Sequence, residues 1–297
     1  MYIAIIGDIH KAWDGFDIDY FNQSACDAIL ILGDLPGRSH RGVNGVAERL
    51  ARLKKPAYFM PGNHDGVTLG QFMGELRQNQ KWIEKYAPRQ APLCESLEAA
   101  LGAIVYTGYS RHVLEFGDER INLIAGRPHS MGGPTLAFAP YLSERFGVAT
   151  LADSAARLRA LFDECDGPII FFSHNGPAGL GAERDSIWGC DFMPEGGDFG
   201  DPDLAEALSY ARSKNKTVLA VIAGHMHHHL RGGGERRWFL RDEHGTAIVN
   251  AARVPRILKL KGERRHHHIA LQIEGGSARI TEILAGESGV DLRNPAE

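Results

Sequence analysis

Five short segments of this chain concentrate residue types that bind divalent metals: Asp8-Ile9-His10, Gly33-Asp34, Gly62-Asn63-His64-Asp65, Ser173-His174-Asn175 and Gly224-His225-Met226-His227. Carboxylate, imidazole and amide oxygen are ligands that suit first-row divalent metals and Mg²⁺. Together the segments hold enough ligands for two ions. The chemistry that suits such a pair is displacement at phosphorus. Phosphate esters are anionic and resist attack by neutral water, so a site must neutralise charge and supply a nucleophile. Two ions roughly 3.5–4 Å apart can clamp the phosphoryl oxygens and hold a bridging hydroxide in line with the leaving group. Metal binding lowers a water pKa from 15.7 to about 7. At about 1.4 kcal/mol per unit, that is worth at most on the order of 12 kcal/mol.

The elements that must position these residues are legible in the apolar pattern. Tyr2–Ile6, Ala28–Leu32 and Ala57–Met60 are short continuous apolar runs, the signature of buried parallel strands. Further strands are predicted at Ala103–Thr107, Ile121–Ala125, Pro168–Phe172 and Thr217–Ala223. Helical spacing recurs at Val43, Val46, Ala47, Leu50 and Leu53, over about Leu69–Tyr86, and in Leu151–Cys165 and Leu204–Ala211. Asp201-Pro202-Asp203 opens the last of these as an N-cap acid followed by proline, so Asp201 is expected as a cap rather than a ligand. The final quarter is strand-rich, with turns at Gly232–Gly234, Glu243–Gly245, Lys261–Glu263 and Gly275–Gly276. Every motif therefore sits just after a strand, where segments distant in sequence converge in α/β sheets. In Asp8-x-His10 and His225-x-His227, two side chains two residues apart near a strand end can point the same way. The expected organisation is a single domain over 1–284 with a loop-rich insertion around 176–203, then a frayed polar tail over 285–297.

Composition narrows the class without naming it. The chain has 297 residues, 43% of them hydrophobic and 24% charged, as in ordinary globular proteins. A net charge of −4 disfavours binding nucleic acid over the whole surface. Leu230 to His268 nevertheless carries ten Lys/Arg against four Asp/Glu, a local excess of +6. Such a stretch either meets an anionic partner or is a charged hairpin edge, and the second reading is preferred. The four cysteines are scattered, no apolar run reaches membrane-spanning length, and no secretory signal is apparent. The expected location is the cytoplasm.

Singly, these motifs are weak, because a lone strand-end histidine is more often a hydrogen-bonded structural residue. Their joint order is specific. The set resembles the calcineurin-like metallophosphoesterase superfamily, whose pattern runs D-x-H, G-D, G-N-H-[D/E], H, G-H-x-H. The match spans Asp8 to His227, with no element missing. The resemblance implies an α/β fold, a four-layer αββα sandwich of two mixed sheets flanked by helices. By that pattern one metal takes Asp8, His10 and His227, the other takes Asn63, His174 and His225, and Asp34 bridges them. His64 is then the catalytic histidine beside the substrate and Asp65 its expected orienting partner. The ions would be divalent, with Mn²⁺, Fe, Zn²⁺ or Ni²⁺ all compatible.

The substrate side is less sharply marked. The glycine-rich stretch 176–203 leaves a metal ligand directly and is similar to that of a little-characterised bacterial and plant subgroup. Glu195, Asp198, Trp188 and Phe199 in it are candidate substrate contacts, against the plainer reading of a structural loop. Arg38 follows Asp34 in Gly33-Asp-Leu-Pro-Gly-Arg38, where the superfamily's serine/threonine phosphatases carry G-D-x-x-D-R-G. Gly37 in place of the acid, with GNHD rather than GNHE, argues against a protein phosphatase but leaves Arg38 a candidate phosphate contact. Arg127 and His129 follow a predicted strand and are candidates to reach the site. His228, His229 and His266–His268 fall outside the ligand pattern and are expected as exposed strand or turn residues. The reading favoured is a hydrolase of small phosphomonoesters or phosphodiesters. A nuclease of the same superfamily and a non-catalytic binding scaffold are the alternatives.

Overall fold

The computed structural model describes residues 1–37, 40–193 and 195–295. Strands run in the order β1 (Tyr2–Ile6), β2 (Ala28–Ile31), β3 (Ala57–Phe59), β4 (Val105–Tyr106), β5 (Ser110–Phe116), β6 (Glu119–Ala125), β7 (Ile169–Phe172) and β8 (Val218–Ala223). They continue with β9 (Phe239–Arg241), β10 (Ala247–Asn250), β11 (Ile257–Leu260), β12 (Glu263–Glu274), β13 (Ser277–Gly286) and β14 (Gly289–Arg293). The helices are α1 (Gly15–Gln23), α2 (Val43–Leu50), α3 (Leu69–Leu76), α4 (Gln80–Tyr86), α5 (Gln90–Leu101), α6 (Ala139–Phe146), α7 (Leu151–Asp163) and α8 (Pro202–Ser213).

These strands form two mixed sheets. One has the order β14-β13-β12-β1-β2-β3-β4, with β11 beside β12; the other is β5-β6-β7-β8-β10-β9. β1, β2, β3 and β4 are parallel, as are β6, β7, β8 and β10. Alternation across the strands decides which side chains meet. Ile3, Ile5 and Leu30 face Leu123, Ile170 and Ile222 between the sheets. On the opposite face, Ala4, Ile6, Ile29 and Ile31 bury Phe21, Leu50 and Leu97 of α1, α2 and α5. The second sheet does likewise with Ile124, Phe171 and Val221 against α7 and α8. Each aliphatic side chain so buried contributes about 1.5–3 kcal/mol before entropy. The result is the four-layer αββα sandwich, with strand carboxyl ends gathered along one edge.

Several expectations change. The helix over Leu69–Tyr86 is two helices, because Gln78 between them adopts φ 50° and Asn79 caps α4 through its side chain. The segments α1, α5, α6 and β5 were not anticipated. The region 285–297 is not simply a frayed tail: β13 reaches Gly286, and β14 pairs with it antiparallel while staying exposed at the sheet edge. The basic stretch is largely neutralised from within. Arg236 pairs with Asp191, Arg253 with Glu282, Arg256 with Asp17, Arg264 with Asp14, and Arg265 with Asp291. His266, His267 and His268 are buried at 4%, 1% and 1% exposure, contrary to the expectation of surface residues, because β12 is a central strand with neighbours on both edges. His228 is buried too, whereas His229 is exposed. Among the described residues no helix is long and apolar enough to cross a membrane.

Candidate metal centre

Asp8 and His10 leave the end of β1, Asp34 the end of β2, and Asn63 and His64 the end of β3. His174 leaves β7, and His225 and His227 leave β8. The seven ligand candidates meet in two groups. In one, Asp8 Oδ2 lies 3.4 Å from His227 Nε2, which lies 3.2 Å from His10 Nε2. In the other, Asn63 Oδ1 lies 2.9 Å from His174 Nε2 and 3.0 Å from His225 Nδ1. Asp34 Oδ2 stands between them, 3.8 Å from His10 Nε2 and 3.6 Å from His174 Nε2. Ligand atoms around one ion with bonds of ~2.1 Å are separated by about 3.0–3.4 Å, so both groups are close to metal-ready.

Hydrogen bonds behind the rings set their tautomers. His10 Nδ1 faces Pro36 O at 3.0 Å, His174 Nδ1 faces Leu32 O at 2.8 Å, and His225 Nε2 faces Met131 O at 3.1 Å. A carbonyl only accepts, so each ring places its proton there and turns its remaining lone pair into the centre. Asp8 Oδ1 accepts from the His225 amide, while Oδ2 is buried without a hydrogen-bond partner. An orphaned carboxylate oxygen beside imidazole nitrogens fits a cation. Burial opposes ionisation of Asp8, but the His227 contact and the nearby His174 outweigh it and hold its pKa well below the usual range.

The close approach has local requirements. A Cβ on Gly62 would lie 2.2 Å from Asp34 Oδ1 and 2.6 Å from His174 Cε1, so only glycine fits there. His10, Asp34 and His225 adopt φ of 41°, 49° and 68°, a left-handed conformation that costs non-glycine residues of order 1 kcal/mol or more. Strain at three ligands is consistent with a site whose geometry the surrounding fold imposes.

His64 and Asp65 take different positions from the expected pair. The Asp65 carboxylate accepts from the amides of Asp34 (2.7 Å), Leu35 (2.9 Å) and Gly62 (2.8 Å), so it staples two ligand loops together and does not orient His64. Burial and the Asp34 charge push its pKa up to about 7. The His64 ring instead places Nδ1 2.9 Å from His40 Nε2 and stacks on Phe72. Burial pushes His40 down to about 4, with the neighbouring His64 charge acting in the same direction. Neither His40 nor Phe72 was singled out from the sequence. The one available signal was a histidine six residues beyond Asp34 in a motif that lacks its acid.

The profile of the calcineurin-like phosphoesterase family matches residues 1–229. The chain belongs to that family. No curated protein shows significant similarity. Among solved structures, one aligns over 99% of both chains with 10% identity and a TM-score of 0.51, a likeness of fold alone. The chain is also similar to Zn²⁺-complexed Vps29 from Entamoeba histolytica, with 14% identity, 99% and 97% of the two chains covered and a TM-score of 0.40. A metallophosphoesterase from Sphaerobacter thermophilus gives 15% identity, 100% and 88% coverage and a TM-score of 0.33.

Within this family member, the candidate substrate residues separate clearly. Arg127 is fully buried, with Nη2 2.6 Å from Asp201 and 3.2 Å from Asp203, so it cannot reach a substrate. Asp201 starts α8 without capping it through its side chain. Its carboxylate is taken by Arg127, Ser130 (2.7 Å) and Asn175 (3.1 Å), which ties the residue after His174 to the far end of the insertion. His129 is also fully buried, its Nδ1 on Gly62 O at 3.0 Å, and supports the loop from behind. Asp198 accepts from the amides of Gly179 (2.6 Å) and Gly200 (2.8 Å) within the insertion. Trp188 is 1% exposed and fills the space over Gly176, and Arg236 binds the carbonyls of Arg184, Ser186 and Gly189. The insertion is thus stitched both by its own residues and by Arg236, Arg127 and Ser130 from outside it. Phe199 packs with Phe192. Glu195 is exposed on the loop, and Arg38 lies outside the described residues.

Proposed function

We propose that this chain is a two-metal phosphoesterase acting on a small phosphomonoester or phosphodiester. The observation that carries the reading is Asp34, whose Oδ2 stands between two groups of ligands with every tied ring turned inward. Asp8, His10 and His227 would hold one ion, Asn63, His174 and His225 the other, and Asp34 would touch both. Mn²⁺, Fe, Zn²⁺ and Ni²⁺ all suit this mixed oxygen and nitrogen set. Bound there, the ions supply charge neutralisation for the phosphoryl group and a nucleophile at neutral pH.

The remaining work falls to the chain. Asp65 holds the Asp34 and Asn63 loops in register through three amides. The backbone N–H of His64 donates to Asp34 Oδ1 at 3.0 Å, which fixes the histidine beside the bridging acid. Its ring Nε2 delivers a proton to the leaving oxygen, a contribution of typically about 10²–10⁴-fold. Internal pairing of the basic stretch removes the main argument for a nucleic-acid substrate. The four cysteines are buried and free, which supports a reducing, cytoplasmic setting.

The test is metal content of the purified protein, together with hydrolysis of bis-p-nitrophenyl phosphate and p-nitrophenyl phosphate before and after chelation. Two ions per chain and chelator-sensitive cleavage are expected, and the preferred ester separates diesterase from monoesterase. A protein that binds no metal and cleaves neither ester with any of the four metals would reject the reading.

A further inference from the structure

His64 is held from two directions. Its backbone amide is tied to Asp34, but that bond leaves the ring free to turn about its side-chain torsions. Stacking on Phe72, with centroids 4.7 Å apart and planes at 29°, limits the plane of the ring without deciding which edge faces the metals. A flip would exchange nitrogen for carbon at the reacting edge. The contact that distinguishes the two edges is His40 Nε2, 2.9 Å from His64 Nδ1. His40 is itself constrained: it packs on Phe72 at 5.0 Å, its amide bonds Gly37 O at 3.0 Å, and its φ of 52° is one that side chains rarely adopt. Strain of this kind persists where the surroundings over-determine the residue.

We propose that His40 is a positioning residue for His64, an acceptor that keeps a proton on His64 Nδ1 and thereby presents Nε2 to the leaving group. This rests on the phosphoesterase reading above. In the step it supports, the bond from phosphorus to the leaving oxygen breaks and its electron pair stays on that oxygen. The oxygen takes the proton from Nε2 of the His64 imidazolium. His64 is left neutral, its proton still on Nδ1 and donated to His40 Nε2. Only leaving groups that need protonation should therefore feel the loss of His40.

The experiment compares His40→Ala, His40→Gln and His64→Ala with the wild type on p-nitrophenyl, phenyl and alkyl esters of the preferred class. His64→Ala should lose most on the alkyl ester and least on the p-nitrophenyl ester. His40→Ala should follow the same trend with a loss of about 10–100-fold on the poorest leaving group, as for removal of a group that orients a ligand. The Gln variant, whose amide oxygen can accept from Nδ1, should recover part of it. Equal loss across the series, or an unchanged profile, would make His40 merely structural. A flat His64→Ala series would reject the role of His64 itself, whereas a steep His64→Ala beside a flat His40→Ala rejects only the link. A second readout needs no turnover. In metal-free protein labelled with ¹⁵N-histidine, His64 should carry its proton on Nδ1, and His40→Ala should shift it towards a mixture of tautomers. An unchanged His64 signal would overturn the proposal.

Discussion

His174 and His268 are both buried, at 0% and 1% exposure, each on or just beyond a strand of the same sandwich. Their surroundings differ in one respect. His174 has a carbonyl behind Nδ1, and Asn63 and Asp34 oxygens before Nε2. His268 has no partner on either nitrogen and packs edgewise on Tyr20 and Phe21, with centroids 5.3 and 5.0 Å away. The first ring is arranged as a ligand and the second as a neutral aromatic filler. Burial therefore does not separate functional from structural histidines here; the fate of the second nitrogen does. Arg127 supplies an intermediate case, as buried as His268 but ion-paired through Nη2 and Nε with Asp201 and Asp203, while its Nη1 has no partner.

The largest effect should come from the oxygen that the two ligand groups share. Asp34→Asn should lower metal affinity by more than about 100-fold, beyond what loss of an outer-shell partner costs, and abolish turnover. Near-native activity in that variant would break the comparison at its centre. His64→Ala should keep both ions and lose about 10²–10⁴-fold in kcat, measured alongside metal content. Should the ions leave with it, His64 would belong with the ligands. Arg127→Ala strands Asp201 and Asp203, and denaturant unfolding should show a loss of about 3–5 kcal/mol.

Acid should act on the buried histidines outside the candidate centre. Burial holds His228 down to about 3 and His268 well below its ordinary 6.5, so the folded state stays neutral there while the unfolded chain takes up protons. Their contribution to stability is complete above about pH 6.5 and falls as pH drops towards the folded pKa, by up to about 1.4 kcal/mol per unit for each ring. Urea midpoints measured from pH 7 to pH 4 should decline accordingly, and a flat profile would contradict the neutral-filler assignment. The smallest effect is His268→Phe. Replacing two unpaired ring nitrogens with carbon should raise stability by about 1 kcal/mol and leave metal content unchanged.

Much of the candidate centre was legible because its ligands lie directly after apolar runs. Parallel strands deliver their carboxyl ends to one edge, so order and context placed Asp8, Asp34, Asn63, His174 and His225 near one another before any coordinates. What failed concerned partners contributed from afar. Asp65 adjoins His64 in the chain, yet its carboxylate binds Asp34 and Leu35, some thirty residues away. Arg127 follows a strand as a site residue would, but Asp201 and Asp203 reach it from the end of the insertion. The run His266–His268 has no apolar signature, and it is buried by the pairing of β12 with β13 and β11 and by Phe16, Tyr20 and Phe21 of α1 packed on His266 and His268.

By itself the amino-acid sequence determined the inventory of candidate ligands and most of the strands that carry them, since these follow from local periodicity and residue chemistry. The two-sheet architecture was what the family resemblance implied. Tertiary structure alone decided which nitrogen of each ring faces the candidate metal centre, which residue stands behind His64, and which charges are cancelled inside the fold. Those outcomes depend on single hydrogen bonds between segments up to some 250 residues apart, and no local pattern encodes where such a partner will arrive.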